Sequence, residues 1–221
     1  MKPQSTLHCH HTHAVIRVID AEIPADISVP ANAHGLIFFG DGLSYGRHSP
    51  TQQRITRHFN ENGFATLLAD LVSAYERTQN THSGELCCGL DLLERRVVTA
   101  TDWIAMQSGI HELPLAYFGA GVGAEAALIA ATRRPEMIRA VVACGADLDH
   151  IEPFLREIFA PTLLIWGMDD PAGLDRQRYR MLQFPEKTMR QLVVTRRLKQ
   201  ESVAGEIAGI ALEWFRQYFK V

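Results

Sequence analysis

Three features of the sequence predict a single α/β domain built on a mostly parallel sheet. Short, continuous apolar runs alternate with longer amphipathic stretches along the chain, as expected of strands covered on both faces by crossover helices. A glycine-rich turn, Gly119-Ala120-Gly121-Val122-Gly123, joins one such run directly to a small-residue helix. The length of 221 residues fits one domain of ordinary size. We expect that domain over residues 14–221, preceded by a histidine-rich segment over residues 1–13.

The elements follow in order. Residues 14–19 alternate and read as a strand, with a weaker one over 26–29. Leu36-Ile37-Phe38-Phe39 is a buried strand ended by Gly40-Asp41-Gly42. Ile55 and Phe59 at helical spacing predict a helix over 52–62, stopped by Asn60, Asn62 and Gly63. Residues 64–68 form the next strand, ending at Asp70, and the polar stretch 72–85 reads as a loop. Leu90, Leu93, Val97 and Ile104 give one apolar face to a helix over 86–106. Residues 115–118 are a strand, followed by the glycine turn and a helix over 124–132. Further strands are read at 140–143, 163–166 and 192–194, and a helix over 203–219 closes the chain.

Composition excludes several classes. Hydrophobic residues make up 47% and charged residues 21%, which is ordinary for a globular chain. The net charge of −3, from 22 basic and 25 acidic residues, excludes an overall basic footprint for nucleic acid. No apolar run approaches the ~18 residues of a membrane span, and the first residues lack the apolar core of a signal peptide. The four cysteines include an adjacent pair, Cys87-Cys88, and a domain of this size needs no disulfide framework. These points lead us to expect a cytoplasmic protein without nucleic-acid or membrane partners.

In a parallel sheet, sites form beyond the carboxyl ends of the strands. Those ends fall at Asp41, Asp70, Gly121, Cys144, Asp169 and the segment Thr195-Arg196-Arg197. A strand, a tight turn and a helix around Gly121 match the geometry of a nucleophile elbow, which demands small flanking residues. Gly119, Gly121 and Gly123 meet that demand.

Several phrases, in their order and intervals, resemble the dienelactone-hydrolase-like branch of the α/β-hydrolases. They are Arg47-His48-Ser49-Pro50, Gly63-Phe64-Ala65-Thr66-Leu67-Leu68, Ala100-Thr101-Asp102-Trp103, Ala160-Pro161-Thr162-Leu163-Leu164-Ile165 and Glu213-Trp214-Phe215. The resemblance runs from about Ala14 to Phe219 and implies an α/β-hydrolase fold without a lid domain. It also implies a serine or cysteine at the elbow, where this chain has Gly121. A histidine is implied shortly after the last strand, where the chain reads Val194-Thr195-Arg196-Arg197-Leu198-Lys199. A His-Gly pair after the strand at 36–39 is replaced by Asp41-Gly42, while Asp169 matches the family's aspartate.

Chemistry decides what those replacements mean. A serine attacks an acyl carbon only when a base takes its proton, and glycine has nothing to attack with. Arginine stays protonated and cannot be that base. Loss of either partner from such a unit costs on the order of a millionfold in turnover. Backbone N–H groups survive any side-chain change, so those of Val122 and of a residue near Leu43 remain as an oxyanion hole. With Arg196 or Arg197 nearby, a carboxylate or phosphate fits there; alternatively Asp41 pairs with one of these arginines and fills the site.

Two functional expectations follow. One is a non-hydrolytic pseudoenzyme that binds a small molecule or a protein partner, with a homodimer left open and no cofactor or metal. The other is an active hydrolase- or lyase-type enzyme in which Asp169 or Asp41 works with the oxyanion hole. A scaffold is a third class. Other residues are weighed against plainer roles. Cys144 is a pocket-rim residue or a small buried hydrophobe, and His48 a base or a solvated loop residue. Cys9, His11 and His13 share one face of an extended chain, with His8 and His10 on the other; such a run binds metals such as Zn²⁺ only if geometry converges. Asp147, Asp149, Asp169 and Asp170 form an acidic rim, Glu125 reads as a surface or capping residue, and Arg133-Arg134 as a pair complementing a helix dipole.

Overall fold

The computed structural model describes residues 9–18, 20–41, 46–73, 75–76, 78, 89–168, 170–195 and 203–219. Its strands are β1 (Cys9–Arg17), β2 (Glu22–Pro30), β3 (Leu36–Asp41), β4 (Ala65–Asp70), β5 (Leu115–Ala120), β6 (Ile138–Cys144), β7 (Thr162–Gly167) and β8 (Arg190–Thr195). Its α-helices are α1 (Pro50–Glu61), α2 (Leu90–Ala105), α3 (Val122–Arg133), α4 (Pro171–Met181) and α5 (Ala204–Tyr218). The eight strands form one sheet in the order β1-β2-β4-β3-β5-β6-β7-β8. β1 and β2, and β2 and β4, pair antiparallel; the remaining neighbours are parallel. No helix among the described residues is long and apolar enough to cross a membrane.

Period-two alternation divides the core in two. Leu36, Phe38, Tyr117 and Val141 face the layer of α2 and α3, while Ile37, Phe39, Phe118 and Val142 face that of α1 and α5. In the second layer Phe59 of α1 packs edge-on against Phe215 of α5, with ring centroids 5.7 Å apart, and near Phe39 and Phe118 of the sheet. Offset and edge-on aromatic contacts of this kind add to the burial of large rings. In the first layer α3 is covered along nearly its whole length, from Gly123 to Ala131. Its small side chains let its backbone approach β5 closely.

One buried charge ties the antiparallel end to the rest. Arg96 of α2 is 2% exposed and donates to Asp20, to Glu76 and to the Leu71 carbonyl. Arg96 lowers the Glu76 carboxyl to about 2, mainly through their hydrogen bonds.

The structure differs from the sequence reading at several elements: β2 runs over Glu22–Pro30 and not 26–29 alone, and residues 75, 76 and 78, read as loop, are helical. The strand expected from residue 14 begins at Cys9, so His10 to His13 lie within β1 and pair with β2. As an edge strand with mostly exposed side chains, its first half carries no apolar alternation to mark it. The helix α4 was not expected at all. Only Gly173, Gln177 and Met181 of its residues are buried, and its start is set by the Asp170 side chain accepting the Gly173 N–H at 2.8 Å, followed by Pro171.

Truncating Phe59 to alanine removes the ring on which four others converge. Urea denaturation is expected to show a loss of about 3–5 kcal/mol, whereas a loss under 1 kcal/mol would mean that α1 and α5 are not packed as described.

Candidate active site

The carboxyl ends of β3, β4, β5 and β6 lie level with one another: Asp41 pairs with Asp70 and with Ala120, and Ala120 pairs with Cys144. From this edge the chain turns into α3 within one residue. Gly121 has φ 54° and ψ −131°, a conformation that side chains rarely adopt and that functional turns retain at a cost. Its N–H donates to the Cys144 carbonyl at 2.8 Å, and its own carbonyl accepts from Ala124 at 2.9 Å and Glu125 at 3.2 Å. A Cβ built on Gly121 meets no atom within 4 Å among the described residues. A Cβ on Gly119 would stand 2.5 Å from the Ala124 Cα, so that glycine is what lets the helix start against the strand.

At a helix start the first N–H groups have no partner within the helix. Val122 and Gly123 occupy those positions, and among the described residues their N–H groups have no backbone acceptor. Ala120 is exposed, Gly121 and Val122 are half-buried and Gly123 is buried, so the donors lie at the border between surface and core. The positive end of the α3 dipole lies here as well.

Of the residues named from the sequence, Gly121 and Val122 stand at this edge as expected. Leu43, Asp169, Arg196 and Arg197 lie outside the described residues, as does the side chain of Asp41. Cys144 ends β6, but its side chain alternates into the α1–α5 layer with Phe118 and Ile165. Burial pushes its thiol up to about 12, so it is a packed thiol, not a nucleophile. His48 is exposed.

Neighbouring charges hold the loops. Asp70, at the end of β4, accepts the Arg47 backbone N–H at 2.8 Å and its Nε at 3.2 Å. Arg47 also donates to Asp26, which faces His13 at 2.6 Å. This chain of charges ties Arg47 to the end of β4 and to β2. Thr195, at the end of β8, is 1% exposed and its hydroxyl has no partner among the described residues.

The acidic rim is occupied by structural work. Asp170 caps α4. Asp147 accepts from Gln177 and from the Asp149 N–H, and Asp149 pairs with Arg176 and Arg180. Arg133 and Arg134 pair with Glu94 and Asp102 of α2, a tie between helices beyond the dipole role expected of them. Among the described residues no three His, Cys, Asp or Glu side chains are grouped to hold a metal ion. The sequence did not reveal one pair at this edge. The His150 Nδ1 lies 3.1 Å from Glu125 Oε2, and Glu125 is buried. The two residues are 25 apart, and no local pattern joins them.

A dienelactone hydrolase from Anabaena variabilis has the same fold, with a TM-score of 0.87 and 30% identity over 95% of this chain and 98% of its own. The chain belongs to the dienelactone-hydrolase family. Within the wider fold, the esterase Est1E from Butyrivibrio proteoclasticus superposes on this family member with a TM-score of 0.72 at 14% identity, covering 92% of this chain and 98% of its own. A Mycobacterium tuberculosis protein named "Putative phosphoribosyl transferase" is 31% identical over 204 residues, or 90% of this chain and 45% of its own. This dienelactone-hydrolase relative thus spans about half the length of the curated proteins it matches. No family model matches the sequence.

Burial of Cys144 in this family member has a direct consequence. Native protein treated with iodoacetamide at pH 8 is expected to leave Cys144 unmodified by peptide mass analysis, with alkylation only after denaturation. Rapid alkylation of native Cys144 would place the thiol in the open site.

Proposed function

We propose that this chain is a family member that has given up ester cleavage by the serine or cysteine route. It holds a small molecule or a partner by the backbone donors at the strand ends. The observation that carries the reading is Gly121: the turn keeps the strained dihedrals and, among the described residues, room for a reactive side chain, yet it presents only hydrogen. The N–H groups of Val122 and Gly123 need no side chain to act. They suit a carbonyl, carboxylate or phosphate oxygen, and Arg196 and Arg197 follow the end of β8 in sequence. Free thiols at Cys9 and Cys144 fit a reducing compartment, in keeping with a cytoplasmic protein.

The transferase named in the mycobacterial relative is not carried over. That protein is matched over 45% of its length, whereas the dienelactone hydrolase is matched over 98% of its own. Acid–base work by Asp41 or Asp169 would keep the chain an enzyme of another kind, and it uses the same oxyanion hole.

The test is Gly121→Ser. The space is open, so the variant is expected to fold, with a loss of about 1–2 kcal/mol from a non-glycine residue at positive φ. Its steady-state turnover of p-nitrophenyl butyrate is expected to stay within about threefold of the parent protein, because the sequence after β8 carries arginines, which stay protonated, where the resemblance implies the histidine base. A gain of about a hundredfold or more would show a base already in place. A burst of phenolate from the parent protein, equal to one per chain, with the acyl group found on a serine or cysteine by peptide mass analysis, would show a nucleophile that the reading denies.

A further inference from the structure

Glu125 and His150 form a pair that the vacant turn leaves unused. Glu125 stands in α3 four residues after Gly121, whose carbonyl accepts its backbone N–H. The side chain is 4% exposed, and both oxygens are engaged: Oε1 accepts the Asp147 N–H at 3.0 Å and Oε2 faces His150 Nδ1 at 3.1 Å. A buried carboxylate on Nδ1 draws the ring proton to that nitrogen. Nε2 then carries the lone pair, on a side chain that is 60% exposed. This is the arrangement by which an acid orients and activates an imidazole.

The surroundings leave that nitrogen available. The charged groups nearest the pair are Asp147 and Asp149 of the same loop and Arg176 and Arg180 of α4. Asp149 holds both arginines, and Asp147 is held by Gln177 and the Asp149 N–H. The loop that carries His150 leaves the carboxyl end of β6, next to the turn at Gly121, where the Cys144 carbonyl accepts the Gly121 N–H.

We propose that His150, positioned by Glu125, is a catalytic imidazole that cleaves activated acyl compounds such as aryl esters, independently of Gly121. Nε2 adds to the acyl carbon, and the carbon–oxygen bond to the aryl group breaks, releasing the phenolate with the bonding pair. Water then adds to the acyl-imidazolium carbon and the carbon–nitrogen bond breaks, returning its pair to Nε2. The carboxylate leaves and the two protons of the water pass to solvent. The neutral ring is the reactive form. Glu125, with smaller contributions from Asp147 and Asp149, holds the imidazole's proton affinity above its ordinary value. The rate therefore rises with pH and levels off above the ordinary imidazole range.

The experiment measures p-nitrophenyl acetate hydrolysis from pH 5 to 9 with the full chain. His150→Asn is expected to lower the rate at pH 8 about tenfold or more, while His111→Asn, at an exposed histidine of the helical layer, leaves it unchanged. Glu125→Gln is expected to move the midpoint of the profile to lower pH. If that variant does not fold, titration of His150 by NMR in the parent protein takes its place, with a midpoint above the ordinary imidazole value expected. An unchanged rate in His150→Asn, or an equal loss in His111→Asn, overturns the proposal. So does a His150 midpoint no higher than the ordinary imidazole value.

Discussion

A helix can spring directly from the end of a buried strand only if the chain reverses within one residue and the helix passes at van der Waals distance. Gly119 and Gly121 satisfy the two halves of that constraint. Gly119 lets α3 lie where any Cβ would strike the Ala124 backbone. Gly121 takes the positive φ that makes the reversal. The alanine-rich face of α3, the buried position of β5 and the row of N–H groups at the strand ends all follow from this junction. The constraint fixes backbone, not side chains, and so it holds whether or not the turn carries a reactive group.

That separation explains how one chain can match a dienelactone hydrolase over nearly its whole length and still present glycine at the turn. Folding depends on the aromatic layer around Phe59 and Phe215, on the sheet and on the close approach of α3. Hydrolysis depends on one hydroxyl or thiol and one imidazole, neither of which contributes to those contacts. The buried Cys144 is an instance: it lies beside the turn, but alternation sends its thiol into the core, where it packs as a hydrophobe.

Much of the fold was legible in the sequence because short apolar runs and helical spacing are strong local signals. Leu36 to Phe39, Leu115 to Phe118 and the face of Ile55 and Phe59 were placed correctly for that reason. The turn at Gly121 was legible because a strand–turn–helix junction demands small residues, which Gly119, Gly121 and Gly123 supply. What was missed lacks an apolar signature. The first half of β1 is a polar edge strand carrying His10, His11 and His13, and α4 buries little beyond Met181 and its polar anchor Gln177. The Glu125–His150 pair was illegible for a different reason. It is made by the crossing of a helix and a loop, and Glu125 by itself reads as an ordinary helix residue.

The central claim is that the strand-end turn keeps its shape without a reactive atom. Incubation of the native protein with excess fluorophosphonate, followed by intact mass analysis, tests it most directly, because that reagent bonds to an activated serine and is indifferent to folding alone. The account predicts an unchanged mass. A single adduct per chain, lost on prior unfolding, would contradict it.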